Sequence, residues 1–283
     1  MDQVVFQTFN TISLIAVLFL VALGLTITWG LMNVINMAHG EFFMLGAYTA
    51  LMTSQVGLPT WLSLLAAPVL VGLFGALLEE TLIQRLYKRP IDTLLATWGI
   101  SLVLRQAVQI IFGARQRGGA ALFSGTVNIF GTAYPVYRFF VMGVAAAVAV
   151  AFVLVLYRSN FGVLLRSVIA NRAMAQALGV NTRRIDRTTF AVGAGIAGLA
   201  GAVIAPMATI NPQIGLSYLI NAFLIVIVGG QGAGGVFAGA GFVGATNSTL
   251  LYFLSPILAS VLVLVLAIIA LRLRPEGLAA VRK

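Results

Sequence analysis

Asn33, Asn36, His39 and Glu41 break an otherwise apolar run from Ile12 to Leu51. Their types and spacing allow two chemistries. His39-Gly40-Glu41 has the His-x-Glu spacing that opens a zinc deaminase signature, in which the histidine ligates and the glutamate moves protons. Here His39 is the only histidine and cysteine is absent, so no ligand set completes a metal site. No nucleophile and base stand at workable spacing either, so no catalytic residue is assigned and the chain is not read as an enzyme. The second chemistry is that of a protected route. A charged side chain at mid-bilayer costs about 2.5–3.5 kcal/mol on insertion scales, so polar groups there either line a sheltered path or satisfy a broken helix. We expect Asn33, Asn36, His39 and Glu41 to wall such a path, with Thr93, Thr97 and Asn221 joining from later segments.

The composition dictates what positions these residues. Charged residues make up 8% of 283 and the mean hydropathy is +1.04, too little polar surface for a water-soluble globule. The expected fold is an all-α integral membrane bundle, residues 1–283 forming one transmembrane domain. The start, Met1-Asp2-Gln3, has no basic segment and no cleavage pattern follows, so the first apolar run is read as a retained span. At roughly 20 apolar residues per crossing, spans fall near Phe9–Trp29, Met37–Met52, Trp61–Arg85, Thr93–Phe112, Phe139–Tyr157, Thr188–Ile210, Tyr218–Val228, Gly235–Leu254 and Ile257–Leu271, eight or nine in all. The second and seventh are short and abut breakers, Asn33–Gly40 and Gly229–Gly235, so both are expected to be discontinuous helices around an internal pathway. The glycine-rich Gly229–Gly235 reads equally as a plain turn or as backbone facing a permeant. Small residues at four-residue spacing, Gly193, Ala197 and Gly201, then Gly235 and Gly239, then Ala240 and Gly244, mark close helix contacts.

Basic residues orient the bundle. Thirteen of the seventeen fall in three clusters: Arg85, Lys88 and Arg89; Arg158, Arg166, Arg172, Arg183, Arg184 and Arg187; Arg272, Arg274, Arg282 and Lys283. These belong inside, which puts the amino terminus and residues 113–137 outside and implies an odd number of crossings unless one broken element is re-entrant. Arg105 is expected to snorkel to the outer face. Glu79 and Glu80 are expected to pair with nearby Arg85, and Asp92 to cap the fourth span. The net charge of +10 follows the inner membrane face and lacks the aromatic interleaving of a nucleic-acid platform. Lipid, not nucleic acid, is the partner it indicates.

The inner loop from Arg158 to Arg187 is too long for a turn. Within it, Asn171–Val180 offers a short helix ended by Gly179, and Ala173, Met174, Ala177 and Leu178 form one small, apolar stripe. Such a stripe suits either a partner's groove or the lipid interface. No G-x-x-x-x-G-K-[S/T] phosphate loop occurs, so any ATP is used by another chain and no cofactor is bound by this one.

The Ala173-x-x-x-Ala177-Leu178-Gly179 core resembles the coupling loop of ABC importer permeases. Gly30 to Tyr48, with Asn33-Val34-Ile35-Asn36-Met37-Ala38-His39-Gly40-Glu41 at its centre, resembles the signature of the branched-chain amino acid permease family. The likeness continues through Gly179-Val180-Asn181-Thr182 and Gly229–Gly239. Within that family, Arg89-Pro90-Ile91-Asp92-Thr93-Leu94-Leu95-Ala96-Thr97-Trp98-Gly99-Ile100-Ser101-Leu102 resembles the urea-transporting branch. The resemblance implies a multi-pass subunit of a bacterial inner-membrane importer, assembled with a second permease, two ATPases and an extracytoplasmic binding protein. Asn171, Arg172, Ala173, Met174, Ala177, Leu178 and Gly179 would then meet the ATPase. The loop Ala114–Val136 carries no recognisable binding-protein residues. Amides, hydroxyls and carbonyls suffice for urea, which is neutral. A branched-chain amino acid needs an anionic partner for its ammonium and a helix N-terminus for its carboxylate, and Glu41 keeps that option open. An ATP-independent channel for small polar solutes is the remaining class.

Overall fold

Seven apolar stretches of 18 to 26 residues are helical and long enough to cross a membrane, whose hydrocarbon core is about 30 Å thick. The computed structural model describes residues 2–32, 34–87, 89–119, 122–123, 125–129, 131–230, 232–274 and 277–278. Asn33, Gln231 and the basic Lys88, Arg282 and Lys283 lie outside the described residues. The helices are α1 (Asp2–Thr26), α2 (His39–Gln55), α3 (Trp61–Thr81), α4 (Pro90–Phe112), α5 (Val136–Arg158) and α6 (Asn160–Ala170). They continue with α7 (Arg172–Ala177), α8 (Thr182–Ile204), α9 (Ile214–Gly229), α10 (Ala233–Phe253) and α11 (Pro256–Leu273). Each expected span contains a helix, but α1 begins seven residues before Phe9, and α8 lies six residues earlier at each end than the expected Thr188–Ile210. The two short ones, α2 and α9, have 17 and 16 residues.

Helix α8 occupies the centre because its small residues let three neighbours approach on different sides. A Cβ on Gly193 would meet the backbone of Gly24 in α1, one on Gly198 would meet Val71 and Ala67 in α3, and one on Gly201 would strike the Phe43 carbonyl in α2. The reciprocal contact, Gly46 of α2 on the Gly198 backbone, is equally tight. With lipid as apolar as the side chains, such close packing is a main source of helix association. Ala197 and Ala240 are fully buried, and Gly244 sits against Ile15, so the expected small-residue lines are helix contacts.

The second break resolves as a turn. The backbones of Gly229 and Gly235 touch across the α9–α10 reversal, Gly277 closes on Gly230, and the Leu278 N–H donates to the Val228 carbonyl at 2.9 Å. Its described part is thus sealed by the hairpin itself and by residues 277–278.

Opposite the basic clusters, short strands tie the loops together. β1 (Arg117–Gly118) pairs antiparallel with β4 (Thr209–Ile210), and β2 (Thr126–Ile129) with β3 (Thr132–Pro135). The Tyr134 hydroxyl donates to the Phe9 carbonyl at 2.9 Å, so the start of α1, the loop after α4 and the end of α8 share one end. That grouping agrees with the disposition read from the arginines.

Gly46→Val should lower the melting temperature of the detergent-solubilised protein by several degrees, since overpacking a tight contact costs about 1–3 kcal/mol or more. Gly143→Ala, inside α5 with nothing within 4 Å of the added atom, should not lower it, since alanine is favoured over glycine in a helix interior; differential scanning fluorimetry reads both.

Candidate functional site

The first break is a joint between α1, α2 and α4. Helix α1 widens into a π turn over Ile27–Leu31 and then stops. The N–H groups of the chain leading into α2 are taken up locally. Asn36 Oδ1 accepts from the Ala38 N–H at 3.0 Å, Thr97 Oγ1 on α4 accepts from the Met37 N–H at 3.1 Å, and the Thr28 carbonyl accepts from Val34. An unsatisfied backbone group in a membrane costs several kcal/mol, about 2–7 on transfer scales, so Thr97 is what allows α2 to begin at depth.

The side chain of His39 fastens the first turn of α2 to α1. Its Nε2 donates to the Val21 carbonyl at 3.1 Å; a carbonyl only accepts, so the proton sits on Nε2. Asn36 and His39 are both fully buried, and the hydrogen bonds of both side chains are to backbone at the joint.

Helix α4 turns one polar ladder toward this joint: Thr93, Thr97, Ser101 and Arg105, four residues apart on a single face. Ile91, Leu95, Trp98 and Leu102 point away and are exposed. The Thr93 hydroxyl lies within donating distance of the Leu86 and Arg89 carbonyls, so it closes the α3–α4 turn. Ser101 stands eleven residues into α4, about 16 Å along it at 1.5 Å per residue, hence near mid-depth. There Ser101 Oγ donates to Glu41 Oε1 at 2.9 Å, and Arg105 Nη2 donates to the same oxygen at 2.8 Å and to Ser101 Oγ at 2.9 Å.

This corrects the expected snorkelling of Arg105, whose side chain is 17% exposed against 1% for Glu41. A buried carboxylate offers more to a guanidinium than the distant interface does. Among the described residues, Glu41 Oε2, Arg105 Nε, Asn36 Nδ2 and His39 Nδ1 have no hydrogen-bond partner. Asn221 stands apart: half-buried on α9, it donates only to its own helix, at the Ser217 carbonyl. Ser101 and Arg105 are therefore the members of the joint that sequence reading missed. Their four-residue spacing from Thr93 and Thr97 was the available signal.

At the basic end, α7 is a compact stub. Asn171 Oδ1 caps it by accepting from the Met174 N–H, and Gly179 at φ +83° ends it, with Gly179 N–H bonded to the Gln176 carbonyl and Val180 N–H to that of Ala175. Ala175 is buried while Ala173, Met174, Ala177 and Leu178 are exposed, Leu178 at 78%. Arg172 pairs with Asp186 of α8 through both nitrogens and lies 5.6 Å over the Tyr87 ring. Tyr87 donates to Glu79 Oε1 at 2.6 Å, and burial, then that bond, push its phenol well above the usual range, so it stays a donor. Glu79 and Glu80 pair with Arg187, at 3.9 and 2.7 Å, rather than with Arg85, because α3 runs against α8 there. Asp92 sits in the first turn of α4 behind Pro90 and pairs with Arg89, so the cap position falls to Arg89, not to Asp92.

A polytopic bundle with a charge pair sheltered at mid-depth and an exposed stub at its basic end defines a membrane transport protein. The family described as the permease component of the branched-chain amino acid transport system matches residues 7–271, and the chain belongs to it. It is a family of transport permeases, not of enzymes. The Escherichia coli K12 protein named high-affinity branched-chain amino acid transport system permease protein LivH is 28% identical over 96% of this chain and 94% of its own length. A protein of Methanocaldococcus jannaschii, named as the probable branched-chain amino acid transport permease protein LivH, is 28% identical over 93% and 89%. The E. coli K12 permease protein LivM is 26% identical over 80% of this chain and 59% of its own length. No solved structure matches the chain.

Removing one partner of a buried ion pair costs about 3–5 kcal/mol. Arg105→Met should therefore lower thermal stability sharply, and Glu41→Gln added to it should restore part of the loss. A thermal double-mutant cycle measures the coupling; additive losses would show that the two side chains do not interact.

Proposed function

We propose that the chain is one of two membrane subunits of an ATP-driven importer that moves a small, net-neutral polar solute inward. The observation that carries this reading is the α7 stub: four exposed small or apolar residues, rigidly capped, tied to α8 and to the α3–α4 turn through Arg172, in a chain with no phosphate loop. Asn171, Arg172, Ala173, Met174, Ala177, Leu178 and Gly179 would dock into a cytoplasmic ATPase, whose closure on ATP would shift the spans between two packings. The likeness to both LivH and LivM of E. coli supports a second, homologous permease beside it. A binding protein would deliver cargo at the opposite end, and the bacterial inner membrane is the setting this assembly implies.

Urea is the first cargo to test, supported by the Arg89–Leu102 resemblance and by the hydroxyl ladder of α4. Asn36, Glu41 and Thr97 at the joint would flank its route, with His39 and Thr93 holding the turns on either side; Asn33 and Asn221 belong to the same proposal. A branched-chain amino acid is the second cargo, favoured by the names of the relatives and by Glu41 with Arg105, whose opposite charges match an ammonium and a carboxylate. Uptake of radiolabelled urea into cells carrying the full assembly, with excess leucine as competitor, separates the two. Uptake that leucine leaves untouched supports urea, whereas leucine uptake that urea leaves untouched supports the amino acid.

Ala177→Arg places a charge in the proposed ATPase groove and should abolish uptake with membrane insertion intact. Normal uptake by that variant removes the docking role of α7. Transport by liposomes holding this chain alone would instead favour an ATP-independent channel.

A further inference from the structure

A cavity of about 460 Å³ opens at the end opposite the basic clusters, away from the Glu41 joint. Its polar wall is made by Gln7, Asn10 and Ser13 of α1, Arg138 of α5, Tyr218 of α9 and Ser248 of α10. The α1 residues recur every three positions and so share one face. Val17 and Ile204 add apolar surface. A volume of this size suits a small ligand, since such sites run from roughly 300 to 1,000 Å³.

The wall is held in place before any solute arrives. Gln7 Nε2 donates to both the carbonyl and the hydroxyl of Ser248, at 3.0 and 3.1 Å, and Thr11 Oγ1 lies 2.7 Å from the same hydroxyl. The Ser248 side chain is 4% exposed. A second feature gives the cavity its sign: no aspartate or glutamate lines it, and among the described residues Arg138 has no carboxylate partner, its guanidinium standing 5.8 Å over the Tyr134 ring. One cation, two amides and several hydroxyls make a site that attracts acceptor oxygens and repels cations.

We propose that this cavity binds the cargo on the side from which it is delivered, and that it takes small carbonyl compounds, amides or carboxylates, by their oxygen. Arg138 faces the carbonyl oxygen and the Tyr218 hydroxyl oxygen receives the solute's N–H groups, with Asn10 and Ser13 along the wall beside them. The inference rests on the permease reading and adds to it a place and a selection rule. Guanidinium, with the planar shape and size of urea but a positive charge and no oxygen, is excluded.

The chain has no cysteine, so a single introduced thiol reports on one position. In vesicles carrying the full importer, Asn10→Cys should react with a membrane-impermeant thiol reagent applied from the delivery side. Val153→Cys, on an exposed apolar face of α5, should not. Urea or leucine at twice its half-saturating concentration should slow the Asn10→Cys reaction about threefold by mass action, and guanidinium should not slow it. Protection by urea identifies an amide site and protection by leucine a carboxylate site. For a carboxylate, adding Arg138→Gln should raise the half-protecting concentration about tenfold, equivalent to 1.4 kcal/mol; for urea the change should stay within a few fold. Ser13→Cys repeats the measurement should Asn10→Cys fail to insert. A thiol that does not react, that neither solute protects, or that guanidinium protects equally overturns the cavity. Wild-type uptake in the same vesicles keeps the two ideas apart, because uptake with an unprotected thiol refutes the cavity alone, and no uptake of either cargo refutes the permease reading.

Discussion

The architecture depends on how closely three helices approach α8. Water is absent from the bilayer core, so hydrophobic burial does little to join one span to another, and association falls to van der Waals contact and hydrogen bonds. Gly193, Gly198 and Gly201 lie on different sides of α8 and bring α1, α3 and α2 within backbone distance of it. Once α1 and α2 are fixed on the same helix, the chain between them has to reverse inside the protein. The break at Asn36 is a consequence of that packing, and its polar residues are there because the reversal needs partners.

Helix α4 meets the bundle in a different way. Its outward faces are apolar and exposed, and what it turns inward is Thr93, Thr97, Ser101 and Arg105. One hydroxyl completes the start of α2, and the guanidinium neutralises Glu41. A helix held chiefly by directional polar contacts can exchange them for others without losing a large apolar interface. That distinguishes α4 from α8, whose contacts tolerate almost no displacement.

The spans, the two breaks, the exposed stub and the gathering of arginines about the α3–α4 turn were legible in the sequence because each has a one-dimensional signature: apolar length, a breaker, a capped stripe, an arginine cluster. Side-chain partners were less legible. Arg105 is 64 positions from Glu41, and nothing local shows that α4 and α2 lie side by side. Glu79 and Glu80 are near Arg85 in the chain yet find Arg187, because α3 runs against α8. Asn221 has the right chemistry but bonds within its own helix. The cavity at the opposite end was invisible for the same reason: Gln7, Arg138 and Ser248 come together only in three dimensions.

The basic end joins these two modes of packing. Arg172 at the start of α7 grips Asp186 of α8 and covers Tyr87; Tyr87 bonds Glu79 of α3, and Arg187 of α8 returns to Glu79 and Glu80. A displacement of the stub is therefore shared by α3 and α8, which their small residues already lock together. On the permease reading, force from an ATPase would move α8, α3 and the helices packed on them as one body. The compliant element would then be α4, joined to that body by the α3–α4 turn at one end and by Thr97, Ser101 and Arg105 along its length. On the same reading, opening a route beside Glu41 would require exchanging a few hydrogen bonds rather than separating a glycine-packed interface, and the moving seam would lie between α2 and α4.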